Sequence, residues 1–310
     1  MGVFVFLPLV LPLTAWPIAW LARQRLHPRT AARLLTAVAI ALAVCSTLCL
    51  ALIMVVGTAQ LPGNPLPDGW SDPEVRAAVP YDEVAGKAAI PGLVAVAAAC
   101  ARTLWRHSRI RRQAERALHG LPPSQIAVLP DETPYAYALP SREQGRIVVS
   151  TAMLACLGPQ EREALFAHER THLTAHHHRF LLAAQLAARA NPFLRPLKTA
   201  IAFSAERWAD EAAANTVGDR RLMARTVGKA ALVSRPAPAQ SLAGFASPGP
   251  VPRRVKALLD PPPDARTWPP AYTAVGLALW MAAAGTTASA LSSANATVAL
   301  VSVLHAATPL

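Results

Sequence analysis

Residues 161–180 read EREALFAHERTHLTAHHHRF, and residues 168–172 within them form the pattern HExxH. On a helix, residues four positions apart lie on the same face, so the imidazoles of His168 and His172 can reach one zinc ion. The carboxylate of Glu169 then stands beside the metal, where it can take a proton from a bound water. The stretch therefore predicts a hydrolytic zinc site on a helix, with Glu169 as the general base.

A catalytic zinc needs a third protein ligand and one position left for water. Glu206 is the first candidate, because it lies in the next strongly helical pattern beyond His172. Asp210 follows Glu206 by one helical turn and is placed to hold a ligand histidine in orientation. Glu211, next to Asp210, shows that acids on this helix need not be ligands.

His178 is the alternative third ligand, because it occupies the third-histidine position of HExxHxxGxxH proteins. Ala175 stands where that motif has glycine. Without the glycine the helix is expected to continue and to carry His178 away from the metal, so Glu206 is preferred. The neighbouring His176 and His177 are expected to be solvated.

Composition points to a membrane protein. Of the 310 residues, 53% are hydrophobic and only 15% are charged, which is less charge than soluble proteins usually carry. Long apolar stretches predict membrane spans, and residues 292–307 are either a return span or an apolar tail. The predicted spans are residues 3–22, 34–57, 88–105 and 271–290.

The formal net charge of +12 is explained by topology rather than by a nucleic-acid partner, since the arginines cluster beside the apolar runs. Direct nucleic-acid binding is therefore not expected. The positive-inside rule places the arginine-rich loop 23–33 and the basic segment 106–116 in the cytoplasm, and the acidic loop near 58–87 outside. The N-terminus is then expected outside, and residues 106–266 form a cytoplasmic domain.

Three domains follow from this reading: residues 1–105 with three transmembrane helices, the cytoplasmic domain 106–266, and the C-terminal span and tail 267–310. Within the cytoplasmic domain, short apolar runs separated by turn residues predict strands, and longer periodic stretches predict helices. The predicted strands are residues 126–129, 136–139 and 147–150, and the predicted helices are 159–189, 197–216 and 219–233, followed by a proline-rich linker at 236–252.

The sequence leaves open which strand binds the substrate and which residue stabilises the oxyanion. The run Tyr135–Leu139 or the strand Ile147–Ser150 could be the edge that takes an extended substrate as an added strand. The group that stabilises the oxyanion is one of Tyr135, Tyr137 and Arg207. The four cysteines form no CxxC pair, so neither a disulfide framework nor a cysteine-ligated metal site is expected.

The order of spans, HExxH domain and further span resembles the BlaR/MecR-type membrane zinc metallopeptidases of bacteria. The resemblance rests on the strand pair, the HExxH helix, Asn191-Pro192-Phe193 followed by Glu206-xxx-Asp210, and the stretch PVPRRVKAL at 250–258. HtpX-type proteases share both motifs but place a membrane hairpin between them, for which this sequence leaves no room. The penicillin-binding sensor domain of the BlaR/MecR proteins is expected to be lacking.

By this resemblance the chain is an α-helical membrane protein of the bacterial inner membrane with an inserted α+β zincin-like (gluzincin) domain. His168, His172 and Glu206 would bind zinc, Glu169 would be the base, and Asp210 would support the site. The implied function is regulated proteolysis, with a BlaI-type transcriptional repressor as a candidate partner. The alternative is a non-catalytic membrane signalling or scaffold protein whose metal site is structural or vestigial.

Overall fold

The computed structural model describes residues 7–59, 61, 63, 66–71, 82–122, 124–141, 145–234, 251–263, 270 and 272–306. Within these residues the chain is mainly helical, with one small sheet. The strands are β1 (Ile126–Leu129), β2 (Ala136–Leu139) and β3 (Arg146–Ser150). The helices are α1 (Leu7–Val10), α2 (Ala15–Arg25), α3 (Pro28–Ala59), α4 (Asp82–Ala117), α5 (Thr151–Cys156), α6 (Pro159–Thr174), α7 (His177–Ala190), α8 (Arg195–Val217), α9 (Arg220–Val233), α10 (Val251–Leu259) and α11 (Ala274–Ala306).

Three helices of the described residues are long and apolar enough to cross a membrane: Pro28–Ala59, Val84–Ala117 and Gly276–Ala306. They correspond to the second, third and fourth predicted spans. All three run beyond the predicted ends, and two of them do so by more than ten residues. The helix α4 continues without interruption through the basic segment 106–116, and α11 continues through the tail after residue 290, which is therefore not a return span.

The predicted first span at 3–22 is not among the three candidate membrane helices of the described residues. Residues 7–25 form α1, the 3-10 helix Leu11–Thr14 and α2, each shorter than a bilayer requires. Prolines recur every few residues here, and each removes a backbone donor from a helical ladder. Ala15, Ala19 and Ala22 of α2 are instead buried in one apolar cluster with Leu197 and other residues of α8.

The helices α3 and α4 are in close backbone contact at Gly57 and Gly86. A Cβ on either glycine would overlap the backbone of the other. Small residues at such crossings let two membrane helices approach until their backbones are in contact. This contact sets the distance between the two spans, and it is one the sequence pattern did not predict.

Gly86→Ala is expected to destabilise the protein by about 1–3 kcal/mol, because the added methyl group forces α3 and α4 apart. The measurement is the thermal unfolding midpoint of the full chain in detergent. Gly92→Ala on the same helix is the control, since its Cβ would make an ordinary 3.6 Å contact with the side chain of Leu50. Equal midpoints for the two variants would contradict the assigned crossing.

The sheet has the order β1-β3-β2, with β1 parallel and β2 antiparallel to β3. The three strands agree with the predicted positions to within one residue. One face of the sheet packs on Ala114 of α4 and on Leu118, which follows the end of that helix. Because β3 is paired on both sides, only β1 and β2 are edge strands among the described residues.

The helices α6 and α8 cross where their side chains are small. Ala164 and Ala167 on α6 pack in one cluster with Ala213 on α8 and with residues of α9 and α10. Alanines allow the backbones of packed helices to come close, so side chains on the facing turns can reach across. This packing brings the HExxH face of α6 opposite Glu206 and Asp210.

The predicted helix 159–189 is interrupted. The helix α6 ends at Thr174, and α7 begins at His177 after His176, which has φ +53°. A left-handed backbone conformation is energetically unfavourable for a residue that has a side chain, so it usually occurs at glycine. The expectation that the helix continues past Ala175 is therefore wrong, and the break turns His177 back toward α6.

Candidate metal centre

The helix α6 is held by local contacts that its sequence encodes. Pro159 occupies its first turn, and the side chain of Glu161 accepts a 2.8 Å hydrogen bond from the backbone N–H of Gly158. Glu161 also forms a 2.7 Å ion pair with Lys229 of α9. The start of the helix is thus fixed, which in turn fixes the face that carries His168 and His172.

Three nitrogen and oxygen donors converge between α6 and α8. Nε2 of His168 lies 3.0 Å from Nε2 of His172 and 3.7 Å from Oε2 of Glu206, while Nε2 of His172 lies 3.5 Å from Oε1 of Glu206. Ligand atoms at the corners of a zinc tetrahedron with bonds near 2.0–2.1 Å are about 3.3 Å apart. The mutual distances of the three donors therefore fit a zinc ion.

One of the ligand atoms also lacks a hydrogen-bond partner among the described residues and is available to a cation. Oε1 of Glu206 is buried and accepts no hydrogen bond within the part of the chain that the structure describes. Nε2 of His168 and Nε2 of His172 lie only 3.0 Å apart, although each can accept a hydrogen bond only when it carries no proton. Buried polar atoms normally have partners, so this arrangement matches a site built for a metal.

Asp210 and Arg254 form the outer layer of the cluster. Oδ1 of Asp210 lies 3.1 Å from Nδ1 of His168, which leaves Nε2 of that histidine for the metal. Arg254 of α10 donates to Oδ2 and Oδ1 of Asp210 at 2.8 and 2.6 Å, and its third nitrogen lies 2.6 Å from Oε2 of Glu206. One guanidinium group thus clamps two buried carboxylates in a fixed geometry.

The charges around the cluster are strongly coupled. Burial favours the neutral acids, but Arg254 and His168 keep the pKa values of Glu206 and Asp210 below their usual range. Burial likewise opposes a charged His168, yet Asp210 and Glu206 raise its pKa to about 10. Without a metal the two carboxylates therefore favour a proton on His168, and a bound metal ion would replace that proton.

Glu169 is buried beside the cluster, and its burial raises its pKa to about 7. Its carboxylate is hydrogen-bonded by the backbone of Ala138 in β2. When Glu169 is ionised and His168 is neutral, as a metal ligand must be, three carboxylates and one guanidinium carry a net charge of −2, which a divalent metal would balance. A carboxyl group with this pKa suits proton transfer near neutral pH.

Comparison with known proteins agrees with this geometry. Residues 100–193 match the family described as Peptidase family M48. A protease HtpX homolog of Methanocaldococcus jannaschii is 34% identical over 85 residues, which are 27% of this chain and 28% of the relative. The chain therefore spans less than a third of the relative's length in this match. No solved structure is significantly similar to the chain.

Each of these two matches covers less than a third of the chain. The matched segment contains His168, Glu169 and His172 but ends before Glu206, Asp210 and Arg254. The cluster of His168, His172 and Glu206 is therefore an independent observation, which the structure adds to the family match.

His178, the alternative ligand, does not join the cluster. His168, His172 and Glu206 form the possible metal-binding group among the described residues, and His178 is half-buried on α7. His176 is exposed, as expected. Glu211 is also separate from the cluster, since it is paired with Arg207 and Arg220.

His177 is not solvated as expected but completely buried. Its Nδ1 lies 2.7 Å from Nδ1 of His172, and its ring packs edge-on against Trp208 at 4.7 Å between centroids. Burial lowers the pKa of His177 to about 4, so this imidazole is neutral at physiological pH. A neutral His177 can accept the Nδ1–H of His172 and so leave Nε2 of His172 for a metal.

The oxyanion candidates have other partners. Tyr135 and Tyr137 are buried in the apolar cluster between the sheet and the end of α4, with ring centroids 6.0 Å apart. Arg207 donates a 2.9 Å bond to Glu211. The described residues thus place none of the three in the metal cluster, although each was named from the sequence.

Sequence reasoning missed Arg254 and the role of His177. Arg254 lies within the stretch 250–258 that contributes to the family resemblance, but its position in the sequence does not link it to Glu206. The run of three histidines at 176–178 gave no signal to separate the buried one. Only a rule that pairs buried carboxylates with a distant arginine would have identified Arg254.

Proposed function

We propose that the chain is an integral membrane zinc endopeptidase. The observation that carries the proposal is the convergence of His168, His172 and Glu206 beside the buried Glu169. A zinc ion held by these three ligands would supply Lewis-acid activation of water and of the peptide carbonyl. Nitrogen and carboxylate donors at these distances suit zinc better than the harder calcium or magnesium.

Each residue at the metal cluster has a separate role in the proposed hydrolysis. Glu169 accepts a proton from the attacking water and later delivers it to the leaving amine. Asp210 orients His168, His177 orients His172, and Arg254 keeps Glu206 and Asp210 ionised. Positioning of this kind fixes the ligands before substrate arrives, so less reorganisation is needed during the reaction.

The strand β2 is proposed to bind the substrate. It is an edge strand among the described residues, and Ala138 in its middle hydrogen-bonds to Glu169. An extended peptide added along this edge would run past the base. Of the two edges considered from the sequence, Ile147–Ser150 is excluded because β3 is paired on both sides, which leaves the run that contains β2.

The peptidase domain is proposed to face the cytoplasm of a bacterium. Arginines surround the start of α3 and the end of α4, while the segment between these helices is acidic. If the three candidate helices of the described residues are the spans, the N-terminal segment lies on the domain's side, which accords with the packing of α2 on α8. The BlaR/MecR-type signalling role and a BlaI-type repressor as substrate rest on the motif resemblance alone.

The alternative, a structural or vestigial metal site, has less support. A structural zinc is usually closed by four protein ligands. Among the described residues the cluster offers three, and the exposed His176 is not a fourth. The open position and the adjacent buried carboxylate are what hydrolysis requires.

Zinc content of single variants tests the ligand set. The full chain, purified in detergent, is expected to hold one zinc, and His168→Ala and Glu206→Ala are expected to lose it, because two remaining ligands bind weakly. His178→Ala is the matched control and should keep the metal. Zinc lost with His178 but retained without Glu206, or no zinc in the unmodified protein, would contradict the proposal.

A further inference from the structure

A basic cleft of about 610 Å³ lies between α4 and α7, apart from the metal cluster. Its polar lining consists of Arg102, Thr103, Arg106 and His107 from α4, and Gln185 and Arg189 from α7. The volume falls within the roughly 300–1,000 Å³ of small-molecule sites. None of the described residues that line it is acidic.

Three like charges face this cleft without compensation. Within the described chain, Arg102, Arg106 and Arg189 form no ion pair with a carboxylate, whereas Arg111 nearby is paired with Glu115 at 3.1 Å. Arg102 and Arg106 are one helical turn apart, where like charges repel. A guanidinium group is always charged and binds phosphate through paired N–H donors. The cleft is therefore suited to a phosphate-bearing anion.

The cleft lies at the end of an apolar surface on α4. Val94, two turns before Arg102, is 63% exposed, so this face of the span has no protein cover in the described chain. Trp105 is 60% exposed, and the guanidinium of Arg109 lies 5.5 Å from the centre of its ring. Exposed tryptophan beside arginine marks the depth of the lipid headgroups. The arginines of the cleft are at this level.

We propose that the cleft binds the headgroup of an anionic phospholipid. The phosphodiester would lie among Arg102, Arg106 and Arg189, with the headgroup hydroxyls near Gln185. The acyl chains would follow the exposed apolar face of α4 into the bilayer. Basic pockets beside membrane helices bind such headgroups. A free phosphate shares the anion chemistry, but only a lipid also covers the apolar face.

Such a lipid would join two parts of the molecule. Arg102 and Arg106 belong to a candidate span, while Arg189 is at the end of α7, the helix that starts at the buried His177. One headgroup would therefore hold α7 against α4 at the membrane surface. The inference does not depend on peptidase activity.

The test uses the full chain in nanodiscs or zwitterionic detergent. Binding of phosphatidylglycerol and of phosphatidylcholine is measured by native mass spectrometry, with inorganic phosphate as competitor. The lining variant carries Arg102→Gln, Arg106→Gln and Arg189→Gln. The control variant carries Arg112→Gln, Arg116→Gln and Arg179→Gln, which are exposed arginines on the same two helices with the same total charge.

We expect phosphatidylglycerol to bind at least about tenfold more tightly than phosphatidylcholine, with the preference lost in the lining variant and kept in the control variant. Equal loss in the two triple variants would show general attraction to a basic surface and overturn the site. Equal displacement by millimolar phosphate, with no difference between the lipids, would show a small-anion site instead. If the lining triple variant does not fold, the lipid preference is compared between the single variants Arg189→Gln and Arg179→Gln. Loss in Arg189→Gln alone would support the site, and equal loss in both would overturn it.

Discussion

Glu169→Gln is expected to lower the rate of peptide-bond cleavage by about a thousandfold and to leave the zinc content unchanged. The amide has nearly the shape of the carboxyl group but cannot accept the proton of the attacking water. The metal ligands His168 and His172 are not altered, so the metal should stay bound. The measurement combines hydrolysis of a labelled unfolded protein with zinc analysis of the same preparation.

Glu163→Gln is the matched control for this prediction. Glu163 lies on the same helix as Glu169 but is exposed, so its substitution removes an equal charge without touching the site. Cleavage by that variant should be unchanged. Full activity of Glu169→Gln would rule out its role as base, and loss of zinc from Glu169→Gln would instead assign it to the ligand shell.

Arg254→Met is expected to destabilise the metal-free protein by about 3–5 kcal/mol, because removal of one partner leaves buried charge uncompensated. Glu206 and Asp210 would lose the guanidinium group that donates to them at 2.6–2.8 Å. The affinity for zinc should also fall by about 10–100-fold, as the ligands lose their outer support. Thermal unfolding with and without a chelator measures the first effect, and zinc titration measures the second.

The adjacent Arg253→Met is the control, since Arg253 is exposed and its loss should change stability by less than about 0.5 kcal/mol. The effect of Arg254→Met should also depend on pH. Glu206 and Asp210 have folded pKa values below their unfolded values of 4.5 and 3.8, so their stabilising pairing is present above those values and is lost on acidification. The difference between the unmodified protein and Arg254→Met should therefore shrink as the pH falls below about 4.5. A difference that grows in acid would contradict the assigned pairing.

Much of the local structure could be predicted from the sequence. The strands at 126–129, 136–139 and 147–150 and the helix starting at Pro159 were placed to within a residue. Four apolar spans were predicted, and three of them correspond to candidate membrane helices of the described residues. These features follow from periodicity, turn residues and length, each of which acts over a few neighbouring positions.

The deviations fall where local rules compete with tertiary contacts. The helix breaks at His176 without a glycine that would have predicted it. The energetic cost of the left-handed conformation is offset by the burial of His177 against His172 and Trp208. The N-terminal apolar run looked like a span, but its prolines shorten the helices and α2 packs on α8 instead. Apolar residues bury equally well against lipid or protein, so hydropathy alone could not separate the two.

The sequence by itself determined the pair His168 and His172 with Glu169 beside them, because the regular geometry of one helix fixes how residues four apart lie. It also singled out Glu206 and Asp210 as one turn of a second helix. Only the tertiary structure decided that these two turns meet, that Arg254 clamps the carboxylates, and that His177 supports His172. Contacts between helices depend on how small side chains such as Ala164 and Ala213 pack over the whole domain, and no local spacing in the chain records that.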